Sequence, residues 1–415
     1  MLDQKQKIPK GWKETTLGEV AEVNAATING SYPFTEIEYI DVASVEEGKL
    51  LHTQVLSLAD APSRARRIVR DNDVLISTVR PNLKHYCFIK KSKPNLVAST
   101  GFAVVSATTA DAYFLYSLLT NNKYTNYLSK IADTQTSTYP AFNPGIIANS
   151  KFLMPTPSEQ RDIAEVLSSL NDKIELLREQ NKALEATAQA IFKNWFISFD
   201  FPDQKGRPYK SSGGKMTDSS LGAIPAEWKL GGICEYLDIV YGFPFSSELF
   251  NKNKTGLPVI RIRDLKDGAP EIYTEETCPA QYKISPGDII AGMDAEFRAV
   301  IWKGEEGLLN QRVCKFRPKE NVGNMFVLET MRPHLNFYEK TKVGTTVSHI
   351  GKSDFDSIET IVPPKHLVAL FSTAMEPLFQ KLVLNNSQIQ SLSVILNTIL
   401  PKLMKGELRV TGVAE

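Results

Sequence analysis

The stretch that decides the fold is Pro157–Phe196, PSEQRDIAEVLSSLNDKIELLREQNKALEATAQAIFKNWF. Its apolar positions advance by alternating steps of four and three: Ile163, Leu167, Leu170, Ile174, Leu177, then Leu184, Ala188, Ile191 and Trp195, with Asn181 inside the stripe. The same stripe returns 208 residues later as Phe371, Met375, Leu378, Leu382, Asn385, Ile389, Leu392, Leu396, Ile399 and Leu403. A 3.5-residue repeat kept over this length predicts two long helices that pack as a coiled coil. Thr156 or Ser158 is the expected N-cap of the first, with Glu159 and Asp162 placed to complement the helix dipole. The second follows Pro363 and Pro364, and Pro377 is expected to break it into a short helix and a long one.

Each stripe contains one asparagine. Centring the stripes antiparallel sets Ile163 against Leu403 and Asn181 against Asn385, an a position facing a d position. A buried amide pair costs stability and fixes orientation and register. The competing reading is two unrelated, tolerated polar residues.

The repeat extends beyond the helices. Ile8, Pro9 and Trp12 recur as Ile224, Pro225 and Trp228, and Asp73 in DNDVLIS recurs as Asp288 in PGDIIAG. The chain of 415 residues, 42% apolar and 23% charged, therefore divides into two similar globular modules over residues 1–155 and 223–362, helices within 156–200 and 363–415, and a joining segment, 201–222. Gly, Ser, Lys and Pro in Asp200–Ser220 mark an exposed linker. Segments such as Asp73–Ser77, Leu96–Val105, Val259–Ile262, Asp288–Ala291 and Ala299–Trp302 are bounded as strands are, and helices are expected over Asp111–Lys130 and Met325–Tyr338. The modules are expected to be α+β with a mixed or strongly curved sheet, related by a pseudo-two-fold axis.

Cys87, Cys234, Cys278 and Cys314 lie far apart, with no CxxC or Cys/His cluster, so neither a disulfide framework nor a metal site is expected. MLDQKQK lacks the apolar core of a signal peptide and no run of 18 apolar residues occurs, which predicts a cytoplasmic location.

Helices of about 25 to 38 residues span roughly 37 to 57 Å, comparable to one to one and a half turns of B-DNA. Modules at the two ends of such a spacer could touch one duplex twice. The module-plus-helix repeat, the Pro157–Phe196 stretch, GRPYKSSGGKM (Gly206–Met216) and NTILPKLMKGEL (Asn397–Leu408) together resemble the specificity subunit of Type I restriction-modification systems. The resemblance implies that the modules are target recognition domains, each reading half of a split sequence in double-stranded DNA. It implies that the helices set the spacing and dock two methyltransferase subunits, and that restriction and translocase subunits join the assembly. It also implies that the chain itself is not an enzyme and takes no cofactor.

The motifs agree. Methyl transfer to adenine needs an Asn/Asp-Pro-Pro-aromatic motif and a Gly-rich loop, whereas the sole Pro-Pro is Val362-Pro363-Pro364-Lys365 and no GxGxxG occurs. A P-loop fails because Thr346 and Tyr209 stand where glycine is required before Gly351-Lys352 and Gly214-Lys215. Pro202-Asp203-Gln204-Lys205 resembles a nuclease cluster but lacks a second carboxylate at the needed spacing.

A net charge of +1 requires DNA affinity to come from local basic patches. Candidates in the first module are Arg64, Arg66 and Arg67, with Arg80 and Lys84 behind; a solvated surface run is the alternative. In the second, Arg261 and Arg263 fall on one strand face, followed by Arg298, Gln311 and Arg312, with a structural ion pair of Arg261 and Arg263 with Asp264 or Asp267 as the alternative. Hydroxyl-rich loops before each helix, with Thr136, Ser137, Thr138 and Tyr139 in one half and Thr345, Thr346, His349 and Lys352 in the other, offer donors and acceptors for base edges or phosphates. Trp195 and Phe196 either pack the helix end onto a module or dock a methyltransferase subunit.

The alternative to a bipartite DNA reader is a coiled-coil scaffold whose modules bind protein or another polymer. The motif analysis predicts that the purified chain neither methylates nor cuts DNA, nor hydrolyses ATP. Methyl transfer by the isolated chain, free of other subunits, would overturn that reading.

Overall fold

The two stripes lie on helices Pro157–Phe192 and Lys365–Met404 of the computed structural model, which describes residues 8–135, 140–294, 296–342 and 349–410. Thr156 caps the first helix, its Oγ1 accepting the Glu159 N–H at 3.4 Å. The second runs unbroken through Pro377 and Pro401, against the expected break. A helical proline costs about 3 kcal/mol. Here Phe371, Met375, Phe379 and Leu382 are buried, whereas Pro377 and Thr373, whose carbonyl loses its partner, are exposed to water. Burial of the stripe offsets the missing bond. This helix is also long and apolar enough in composition to cross a membrane, but its stripe faces protein.

The chain forms two compact units, residues 1–173 with 394–415 and residues 174–393, so each long helix contributes to both. In the first unit, Lys13–Thr16 pairs antiparallel with Lys151–Met154 beside the helix start. A four-stranded antiparallel sheet has the order Ala21–Val23, Phe102–Ala107, Asp73–Ser77, Tyr86–Ile89. A second has the order Gln54–Ser57, Glu36–Ile40, Leu96–Ser99, Ala65–Ile68, its middle pair parallel.

The second unit repeats this plan. Lys229–Gly232 pairs with Glu359–Val362; one sheet runs Leu237–Tyr241, Val313–Pro318, Ile289–Gly292, Ala299–Ile301. The other runs Tyr273–Thr274, Leu257–Ile260, Gly307–Leu309, Lys283–Ile284, again with a parallel middle pair.

The motif shared by DNDVLIS and PGDIIAG is the central strand of each unit. Alternation along a strand sends successive side chains to opposite faces. Val74 and Ile76 pack with Phe114, Leu115 and Leu118, while Leu75 packs with Ile40, Leu96 and Val104 of the second sheet side. Ile289 and Ala291 likewise join Met325 and Leu328, and Ile290 joins Ile260, Trp302 and Leu309. Each such side chain contributes about 1.5–3 kcal/mol on burial. The aspartate that opens each strand closes a turn: Asp73 accepts the Arg70 N–H at 2.7 Å and Asp288 the Ser285 N–H at 2.8 Å. Burial raises the Asp73 carboxyl above its usual range, opposed by the Ser106 hydroxyl that it accepts at 2.6 Å.

Three expected elements differ. Leu96–Val105 divides at Thr100-Gly101 into strands of different sheets, where a Cβ on Gly101 would stand 2.9 Å from Val42. Asp111–Lys130 divides into Ala112–Thr120 and Asn122–Gln135 because Asn121 is extended and caps the second helix through Tyr124 N–H at 3.0 Å. Asp200–Ser220 is folded rather than a free linker: Phe201 stacks between Tyr209 at 4.6 Å and Trp228 at 5.3 Å, and Met216–Ser219 pairs with Gly222–Pro225.

Within each unit a module element is tied to a long helix. Asn171 Nδ2 donates to the Tyr113 hydroxyl at 2.8 Å in the first. In the second, Arg332 of helix Asn324–Thr341 reaches Glu185 at 2.6 Å and the buried Glu329 at 2.5 Å. Also in the second unit, Asn385 Nδ2 donates to Asn181 Oδ1, and Asn181 Nδ2 to Asn386 Oδ1, both at 2.9 Å. Farther along the first helix, Trp195 meets Phe371 with ring centroids 5.7 Å apart, so advancing positions on one helix meet receding positions on the other. In the first unit Ile163 and Leu167 share a core with Leu403.

Asn385 is fully buried, so Asn181→Ala leaves its amide short of a partner. A loss of about 1–3 kcal/mol is expected, largely recovered when both positions become leucine. Urea unfolding followed by circular dichroism checks this; an unmoved midpoint in the single variant would show that the pair carries no stability.

Candidate nucleic-acid interface

Where the central strand of each unit ends, its backbone groups still need partners, and two other segments supply them. In the first unit the Thr78 N–H donates to Gly101 O at 2.8 Å, and the Phe142 N–H donates to Thr78 O at 3.0 Å. In the second the Met293 N–H donates to Arg312 O and the Ile350 N–H to Met293 O, both at 2.9 Å. The same three-way backbone junction is therefore built twice. It joins a strand end, a short link between strands of different sheets (Thr100-Gly101 or Gln311-Arg312) and the segment leading to a long helix.

The first junction gathers several predicted side chains. Thr100 N–H donates to Arg64 O at 2.7 Å, and Arg80 N–H donates to Pro140 O at 2.7 Å. Arg64 pairs with Asp41 at 2.8 Å and remains 57% exposed. The run of arginines is split. Arg66 is exposed with Nε donating to Ser63 O, whereas Arg67 points to the opposite face, half-buried beside Thr27. Arg80 and Lys84 both adopt left-handed backbone, φ 47° and 55°, at either end of the turn Pro81–Leu83, and Lys84 meets Glu47 at 3.4 Å. Non-glycine residues held there cost of order 1 kcal/mol or more and mark candidate functional positions. Thr136, Ser137, Thr138 and Tyr139 lie outside the described residues, immediately before Pro140.

At the second junction Asp294 is the hub. His349 Nδ1 lies 2.6 Å from Asp294 Oδ1 and Arg312 Nε 3.4 Å from Oδ2, while Lys342 Nζ donates to His349 O at 3.1 Å. Gln311 is exposed beside Arg312. Arg298 pairs with Glu339 at 3.4 Å and Lys352 with Asp356 at 2.5 Å. Thr345 and Thr346 lie outside the described residues. Arg261 and Arg263 do not share a strand face, because the strand ends at Ile260 and Ile262–Asp264 forms a 3-10 turn. Arg261 caps that turn and binds the buried Asp264 at 3.1 Å, a structural ion pair; Arg263 is exposed.

Surface ion pairs of this kind are worth about 0–1 kcal/mol. The exposed arginines can therefore exchange a carboxylate for a phosphate or base edge at little cost. Sequence reasoning missed the acidic partners Asp41, Asp294 and Glu339, since nothing in their local sequence says which arginine they meet.

The aromatic cluster at the helix end is core rather than free surface. Phe196 is 5% exposed, with rings of Phe326 and Phe371 at 5.2 Å and Trp228 at 6.1 Å. It has no face left for a methyltransferase subunit, and Trp195 is half-buried against Phe371. Among the described residues no group of His, Cys, Asp and Glu side chains is placed to hold a metal. Burial pushes the Cys87 and Cys314 thiols up to about 12, so neither is a nucleophile at neutral pH.

The sequence profile of the Type I restriction modification DNA specificity domain matches residues 9–186 and again 225–392. The specificity subunit of Type I restriction enzyme HindI from Haemophilus influenzae is 24% identical, over 96% of this chain and 99% of its own length. That of MjaIX from Methanocaldococcus jannaschii is 25% identical, over 97% and 95%. The crystal structure of the Type I restriction-modification system S subunit from M. genitalium is 13% identical, covers 97% of both chains and superposes with a TM-score of 0.56, a likeness of fold. Two matches to one domain, each spanning a module and most of its long helix, place this chain in the Type I restriction modification DNA specificity domain family.

Proposed function

We propose that the chain is the DNA sequence-specificity subunit of a Type I restriction-modification assembly and reads a bipartite target, one half-site per module. The observation that carries this reading is the junction built twice, each copy presenting arginine with hydroxyl, amide or imidazole groups at a strand end. Residues 1–155 and 223–362 are the two recognition domains, residues 156–200 and 363–415 the spacer helices with the C-terminal tail, and 201–222 the connection. The helices act as an antiparallel coiled coil that relates the modules by a pseudo-two-fold axis, with Asn181 and Asn385 fixing its register.

Arg64, Arg66, Arg80 and Lys84 are assigned to the first half-site, together with the loop Thr136–Tyr139. Arg263, Arg298, Gln311, Arg312, His349 and Lys352, with Thr345 and Thr346, are assigned to the second. Arg67 and Arg261 are supporting residues by their burial. The chain is not itself the catalyst: methyl transfer and cleavage belong to two methyltransferase subunits and to restriction and translocase subunits that it gathers on double-stranded DNA. The work takes place in the cytoplasm, where that DNA is. No contact favours the alternative of a protein-binding scaffold.

Inserting one heptad into both helices at matched places tests the division between readers and ruler. It should lengthen the gap between half-sites by roughly 10 Å, about three base pairs, and leave the recognised bases unchanged. Methylome sequencing of cells carrying the altered subunit reads both quantities; changed bases at an unchanged gap would remove the ruler from the proposal.

A further inference from the structure

Arg312 is ion-paired on one side of its guanidinium. Its Nε lies 3.4 Å from Asp294 Oδ2, its carbonyl accepts the Met293 N–H at 2.9 Å, and the side chain stays 52% exposed. The terminal Nη nitrogens meet no partner among the described residues. Asp294 is in turn held from the other side by His349 Nδ1 at 2.6 Å, and His349 by the Ile350 backbone bond to Met293 O. Carboxylate, guanidinium and imidazole thus come from three chain segments that backbone hydrogen bonds fix together.

A guanidinium has two donor edges, one through Nε and one through the paired Nη groups. A carboxylate paired on the Nε side favours an orientation that leaves the Nη edge, with its two parallel N–H bonds, for another acceptor. The base edge that matches this pattern is that of guanine, whose O6 and N7 are both acceptors in the major groove. A phosphate contact is the poorer match, because phosphate would bring a second anion toward Asp294 and gains nothing from a fixed guanidinium angle.

We infer that Asp294 is a positioning residue that presents Arg312 to a guanine in the half-site read by the second module. The inference rests on the DNA-reading function proposed above and adds the identity of one base. Asp294 sets the angle, Arg312 makes the contact, and His349 keeps the carboxylate in place.

In vitro selection from duplexes randomised across both half-sites, using the full chain with its methyltransferase subunits, tests it. The unaltered chain should select a bipartite sequence with a fixed guanine in one half-site, preferred by roughly five- to 150-fold. Arg312→Lys keeps the charge but replaces the fixed pair of donors by one rotatable ammonium, so the preference at that position should weaken while phosphate-driven affinity and its salt slope persist, and Arg312→Met, which has no donor, should abolish it. Asp294→Asn should weaken the same preference without changing the melting temperature by more than a few degrees. A uniform loss of affinity for every sequence, with a lowered melting temperature, would make Asp294 a fold residue and overturn its positioning role. Selection of the same bases by the donor-free Arg312→Met would overturn the contact. If the unaltered chain selected no bipartite sequence at all, the DNA-reading function itself would fail, a result distinct from either.

Discussion

The arrangement depends on a constraint of buried backbone. Asp73–Ser77 and Ile289–Gly292 are covered on both faces, so water is excluded from them and every peptide group must find a partner in protein. Neighbouring strands serve the middle of each. At the end, where one neighbour turns away, the leftover N–H and C=O recruit a link between the two sheets and the segment that leads into a long helix. Exposed polar residues are thereby held at fixed positions by a buried apolar strand. That is how one scaffold can carry two different reading surfaces.

Charge follows from the same layout. A chain with net charge +1 has no excess of positive field to spend on attraction, and its exposed arginines lie beside Asp41, Asp294 and Glu339. Such pairs are weak in water, so a guanidinium can keep its carboxylate or exchange it at small cost. Pairing lowers non-specific attraction to phosphates and leaves selectivity to geometry. The buried pair Arg261–Asp264 belongs to a different class, since breaking it strands a carboxylate that is 4% exposed.

The long helices combine two opposed requirements, continuity and register. Continuity survives Pro377 because the stripe beside it is buried and the orphaned carbonyl faces outward. Register is expressed by an amide network in an otherwise apolar seam, to which Asn386 adds an acceptor that the heptad pattern did not reveal, being one residue off the stripe. The Tyr113–Asn171 and Arg332–Glu185 contacts then tie module elements to the helices.

The sequence by itself determined what is periodic or repeated. The two helices, the one asparagine in each stripe, the paired aspartates that open the central strands and the two-module layout all follow from spacing, because side-chain direction on a helix or strand is a local property. Where a local signal competed with packing, tertiary structure decided. Pro377 did not end a helix, Thr100-Gly101 did break a strand, and the Gly- and Ser-rich segment after Phe199 folded onto Trp228. The same holds for the candidate interface. A count of arginines could not separate Arg64 and Arg312, held at the strand-end junctions, from Arg67 and Arg261, half-buried in supporting roles. That distinction depends on partners far away in the chain, and only the folded chain brings Asp294, Arg312 and His349 within reach of one another.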